Sequence, residues 1–137
     1  MRTGIFAAAG LATALMLTGC GQDSMKGKDI TAESSVDEIG DAYVSEMIRI
    51  SDALATVDDE KSAKKAAVTL KDAVEELNSM QEKLDTDAGS QKAMQVMASR
   101  AGELADVQTN IAKQIMRIQT EHPELMDTLG DELNEIK

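Results

Sequence analysis

Residues 63–84 read AKKAAVTLKDAVEELNSMQEKL, and the fold is decided by how the apolar residues fall in them. Ala63, Ala66, Leu70, Ala73, Leu77, Met80 and Leu84 recur at spacings of three and four, with charged residues filling the intervals. A spacing that averages 3.5 keeps one helical face toward a partner and excludes the alternation of a half-buried strand. Ala67 and Val74 widen the same stripe.

Working outward, the same rhythm appears on both sides. Before this stretch, Val36, Gly40, Tyr43, Met47, Ile50, Leu54 and Val57 make a first stripe, broadened by Ile39, Val44 and Ile48. After it, Met94, Met97, Ala101, Leu104, Gln108, Ile111, Ile115 and Ile118 make a third. Ser35-Val36-Asp37-Glu38 has the form of a capping box, and Asp58-Asp59-Glu60 puts carboxylates at the positive end of the second helix. Asp85-Thr86-Asp87-Ala88-Gly89-Ser90 supplies turn formers and another N-cap. The expected fold is all-α: an antiparallel three-helix bundle over 36–57, 59–84 and 90–121. Pro123 suits the first turn of a new helix, so a short fourth helix over 123–136 is expected to fold back with Leu125, Leu129, Leu133 and Ile136 inward. Gly130 weakens that helix. The Ala- and Met-rich seams bury little area, which leaves room for further burial in an oligomer.

The N-terminus has a different composition. Residues 1–20 are MRTGIFAAAGLATALMLTGC: a basic Arg2, then a short apolar run from Ile5 to Leu17, too brief to cross a membrane. The run ends in Leu17-Thr18-Gly19-Cys20, which resembles the lipobox of bacterial lipoproteins. The resemblance covers residues 1–20 only. It implies cleavage between Gly19 and Cys20, a diacylglyceryl thioether on Cys20, and acylation of the new amino terminus. Gly rather than Asp at position 21 fits the outer-membrane sorting habit of enteric lipoproteins. The expected organisation is a signal peptide over 1–19, a lipidated flexible tether over 20–34, and a helical domain over 35–137.

Charge and composition narrow the function. The 137 residues carry 14 basic and 25 acidic side chains, a formal charge of -11. Cleavage would remove only Arg2 among charged residues, so the mature chain would reach -12. That balance argues against nucleic acid, whose binding needs Lys and Arg on phosphates. Phe6 and Tyr43 are the only aromatic residues, which excludes an aromatic-lined sugar, base or haem pocket. One cysteine precludes an intrachain disulfide, and one histidine most zinc sites.

Several constellations have simpler roles beside a functional one. Met94 and Met97 form an M-x-x-M pair of soft thioethers suited to Cu(I), but their spacing puts them on the expected apolar seam, where methionine fills gaps. Asp85-x-Asp87 opens like a calcium loop, yet Gly89 and Val96 stand where further ligands belong. His122, with a methionine, could ligate haem, but C-x-x-C-H is missing and a capping role suffices. Glu75-Glu76 reads as a solvated helix face, and Lys61, Lys64 and Lys65 as partners of acidic neighbours. Lys137 resembles the terminal lysine by which some small lipoproteins join peptidoglycan. No nucleophile elbow or phosphate loop is present.

The expectation is a non-catalytic interaction or structural module without a cofactor beyond the lipid on Cys20. It would be anchored in the outer membrane, face the periplasm, and associate with a protein partner or with itself. The alternatives are a small-ligand or copper carrier using Met94 and Met97, and a wall-linked lipoprotein using Lys137.

Overall fold

The structure is a computed structural model that describes residues 29–135, and among them every regular element is helical. Helix α1 spans Val36–Ala55, α2 Glu60–Lys83, α3 Asp87–Ser99 and α4 Ala101–Glu121. A 3-10 turn over Pro123–Leu125 leads into α5, Met126–Glu135.

The first two helices start where capping chemistry places them. The Ser35 hydroxyl accepts from the Glu38 amide at 3.2 Å, and the Ser35 amide donates to the Glu38 carboxylate at 2.7 Å. Asp59 accepts from the Ser62 amide at 2.7 Å, and the Asp59 amide donates to the Ser62 hydroxyl at 2.9 Å. Each reciprocal pair satisfies amides that a helix start leaves without partners.

One apolar cluster joins the end of α1 to the start of α2 and to α4 and α5. It contains Met47, Ile50, Leu54 and Val57 with Ala63, Ala66 and Leu70, together with Val107, Ile111, Ile118, Leu125 and Leu129. A second joins the start of α1 to the end of α2 and to α3, through Ile39, Ala42, Met80, Leu84 and Val96. Alanines at 63, 66 and 73 bring α2 close to its neighbours, and the larger side chains of α1 fill the space. Leu129 is fully buried, so α5 returns against α2 and continues the core beyond Pro123.

Two expectations change. The expected third helix over 90–121 is two helices, and the first begins at Asp87, not Ser90. Thr86 caps it, accepting from the Gly89 amide at 3.0 Å. The break falls at Arg100, with φ -115° and ψ 19°. Its side chain leaves the seam between α1 and α4 to reach Asp41 at 2.6 Å and Glu103 at 3.2 Å. Residues 30–34, expected to belong to a flexible tether, make fixed contacts instead. Ile30 is buried in the second cluster, and Lys92 donates to the Ala32 and Ser34 carbonyls at 2.8 Å each. The chain is therefore already docked when it reaches Ser35.

Candidate functional site: an uncharged face on α3 and α4

The core-facing line of α3 and α4 runs through Val96, Leu104, Val107, Ile111 and Ile118, all buried. Arg100 occupies the same line, so the inward phase carries across the break. This overturns the seam expected from Met94, Met97, Ala101 and Gln108, all four of which are exposed. Met94 is 66% exposed and Met97 54%. They are surface residues, not gap fillers in a core. Apolar residues stand on both sides of these helices, so the sequence carries two competing stripes.

Turned away from the core is a second stripe: Gln91, Met94, Ala98, Ala101, Ala105, Thr109, Ala112, Met116 and Gln119, every one exposed. At about 100° per residue the three on α3 share an arc of about 60° and the six on α4 an arc of about 80°. None carries a charge, although 28% of the chain is Asp, Glu, Lys or Arg. Asp87, exposed at the start of α3, falls on the same azimuth just before the stripe, whereas the exposed charges within 91–121, among them Glu103, Asp106, Lys113 and Glu121, lie off it. Met116 is 66% exposed, like Met94. An exposed surface of alanine, methionine, threonine and glutamine without a charge has the composition of a contact face. Its signal in the sequence is the absence of charge at these positions.

The other candidate residues fall elsewhere. Gly19, Cys20 and Lys137 lie outside the described residues. Asp85 and Asp87 are exposed on either side of the Thr86 cap. The same segment is held tight by Gly89, where a Cβ would lie 2.4 Å from the Leu84 carbonyl oxygen. His122 closes α4, with Nδ1 3.7 Å from the Glu124 carboxylate. Glu75 is exposed as expected, but Glu76 is half-buried, and its Oε2 has no hydrogen-bond partner. Lys61, Lys64 and Lys65 line an open groove along α2 with Asp59, Glu60, Val68 and Thr69, and Lys64 pairs with Glu60. Among the described residues no group of three or more His, Cys, Asp or Glu is placed to hold a metal, and no helix is long and apolar enough to cross a membrane.

Capping tunes the carboxylates at two helix starts. The Ser35 amide, then its hydroxyl, holds the Glu38 carboxyl below its ordinary range. The Ser62 amide does the same for Asp59, and a hydrogen bond from Lys64 does so for Glu60. These shifts belong to capping and surface pairing, where a carboxylate is favoured by the donors around it.

No family model, curated protein or solved structure matches the chain.

Proposed function

We propose that the chain is a cell-envelope lipoprotein, lipidated at Cys20 after cleavage between Gly19 and Cys20, whose helical domain is a non-catalytic interaction module in the periplasm. The anchor rests on the order of Arg2, the apolar run and Leu17-Thr18-Gly19-Cys20. Gly21 favours the outer membrane. Several acyl chains hold a protein stably where one would not, at about 0.8 kcal/mol per buried CH₂. An acidic domain of this kind gains nothing from anionic lipid, so attachment falls to the lipid and the domain stands away from the surface.

The observation that carries the interaction reading is the uncharged stripe from Gln91 to Gln119 on α3 and α4. We infer that α1, α2 and the α3–α4 pair run up, down and up as a three-helix bundle, with α5 as a fourth element. Contacts at both ends support this order: Ile39 clusters with Met80 and Leu84, while Leu54 and Val57 cluster with Ala63 and Ala66. Such an order turns one side of α3–α4 to α1 and leaves the stripe outward.

Cell fractionation and intact mass test the anchor. The native chain should be in the membrane fraction, at the mass of residues 20–137 plus acyl chains. Cys20→Ser should lose the acyl mass and leave that fraction. Retention of the variant in the membrane at an unchanged mass would overturn the reading.

A further inference from the structure

The exposed stripe has an internal symmetry. Counted from Ala105, the flanking members stand four residues away at Ala101 and Thr109, seven at Ala98 and Ala112, eleven at Met94 and Met116, and fourteen at Gln91 and Gln119. Each pair matches in kind: small with small, methionine with methionine, glutamine with glutamine. The spacings 3-4-3-4-4-3-4-3 read the same in both directions and average 3.5, the value at which a helix keeps one seam toward a partner helix.

We propose that this face binds a second copy of the chain, in an antiparallel pairing of the α3–α4 surfaces about a two-fold axis through Ala105. A two-fold interface is isologous: the same patch on both subunits must complement itself. Here residue i would meet residue 210 minus i. Met94 of one copy would lie against Met116 of the other, at each end of the contact. Alanines would fill the centre, where small side chains let the helices approach closely. A heterologous partner would place no demand on the two halves of the stripe to mirror each other.

Charge favours the same occupant. Two copies at -11 each repel over most of their surfaces, and opposed like charges at an interface are costly. Contact through this stripe opposes no charge to a like charge along its central line. Antiparallel helices also set the positive end of one dipole beside the negative end of the other. The face is smaller than the 20–30 residues a side of a standard interface, so the affinity expected in dilute solution is weak, on the order of micromolar. Anchorage of both copies on one membrane would raise their effective concentration and populate the pair. In that respect the proposal rests on the lipoprotein reading, although the pairing itself does not require lipid.

Cysteine cross-linking of the full chain tests partner and register together, with linked peptides identified by mass spectrometry so that any product through Cys20 is recognised. Ala105→Cys should give a 105–105 disulfide. Mixed Met94→Cys and Met116→Cys chains should give a 94–116 product at least tenfold more abundant than 94–94, whose positions would stand at opposite ends of the contact. Helical circular dichroism of each variant separates misfolding from lost pairing. As an independent check, sedimentation of the full chain in detergent should show a dimer that Ala105→Glu weakens at least tenfold. Products 94–94 and 116–116 in place of 94–116 would overturn the antiparallel register. A monomer at all concentrations, with no 105–105 product in solution or on vesicles, would overturn self-association. Failure here with Cys20-dependent membrane attachment intact would leave the lipoprotein reading standing, whereas attachment lost with pairing retained would do the reverse.

Discussion

The guanidinium of Arg100 lies across Gly40, so close that a methyl group on Gly40 would stand 2.5 Å from Nε and 2.9 Å from Cδ. Arg100 is only 20% exposed, and from this seat it reaches Asp41 at 2.6 Å. The absence of a side chain at 40 admits a charged residue to the inward line of α3–α4, and the helix breaks at that residue.

This relationship predicts coupling between the two positions. Gly→Ala inside a helix ordinarily gains about 1 kcal/mol. In the native chain that gain should be offset, because the methyl displaces Arg100 from Asp41. In an Arg100→Ala background the full gain of about 1 kcal/mol should return. Denaturant unfolding of the four proteins in the cycle checks it, and strict additivity would contradict the close approach.

Arg117 closes the other end of α1. It donates to the Val57 and Leu54 carbonyls at 3.1 Å each, and lies 3.6 Å from both Asp58 and Glu121. A cation at a helix C-terminus also meets the favourable end of the dipole. Arg117→Ala should lower unfolding stability by about 1.5–3 kcal/mol, the range for hydrogen bonds to a charged group. Arg117→Lys should recover only part, since an ammonium cannot span the two carbonyls as a guanidinium does.

Leu129 and Met116 separate core from contact face. Leu129 is fully buried, and its truncation to Ala should cost about 2–5 kcal/mol. Met116→Ala, at 66% exposure, should change monomer stability by less than about 0.5 kcal/mol. Thermal unfolding at low protein concentration would show the contrast. Equal losses would mean that Met116 is packed and the stripe is not a free surface.

The capping carboxylates fix the sign of one pH response. Glu38 and Asp59 titrate below their ordinary range in the folded chain, held there mainly by the Ser35 and Ser62 amides. A depressed carboxyl stabilises the fold above its unfolded-state value and loses that contribution as pH falls through its folded-state value. The native chain should therefore exceed a Glu38→Ala/Asp59→Ala double variant in melting temperature near pH 7. The gap should close as pH drops below about 4, the ordinary carboxylate range. A gap that widens on acidification would contradict the assignment.

Much of α1 and α2 was legible in the sequence because large apolar residues and caps agree there. Met47, Ile50, Leu54, Leu70 and Met80 lie on the expected stripes and are buried, and the capping box at Ser35 and Glu38 forms as written. The third segment was not legible for a physical reason. It carries two apolar stripes, and the continuous run through Met94, Met97 and Ala101 looks more like a seam than a line that includes a charged Arg100. The open space over Gly40, sixty residues earlier, and the carboxylates of Asp41 and Glu103 make that line acceptable. Ile30 is buried but gives no signal in the sequence, because it stands alone without a periodic neighbour. Of the outer face only Met94 and Ala101 lie on the expected seam; the other seven residues are mostly small or polar and carry no periodic signal of large apolar side chains.

Photo-cross-linking in cells tests the central claim, that the anchored domain works through the outer face of α3 and α4. A photoreactive side chain would replace Ala105 on that face in one strain and exposed Val68 on α2 in another. The account predicts discrete adducts from position 105, either a second copy or another envelope protein, and none of comparable yield from position 68. Discrete adducts from 68 with none from 105 would contradict it and move the working surface to α2.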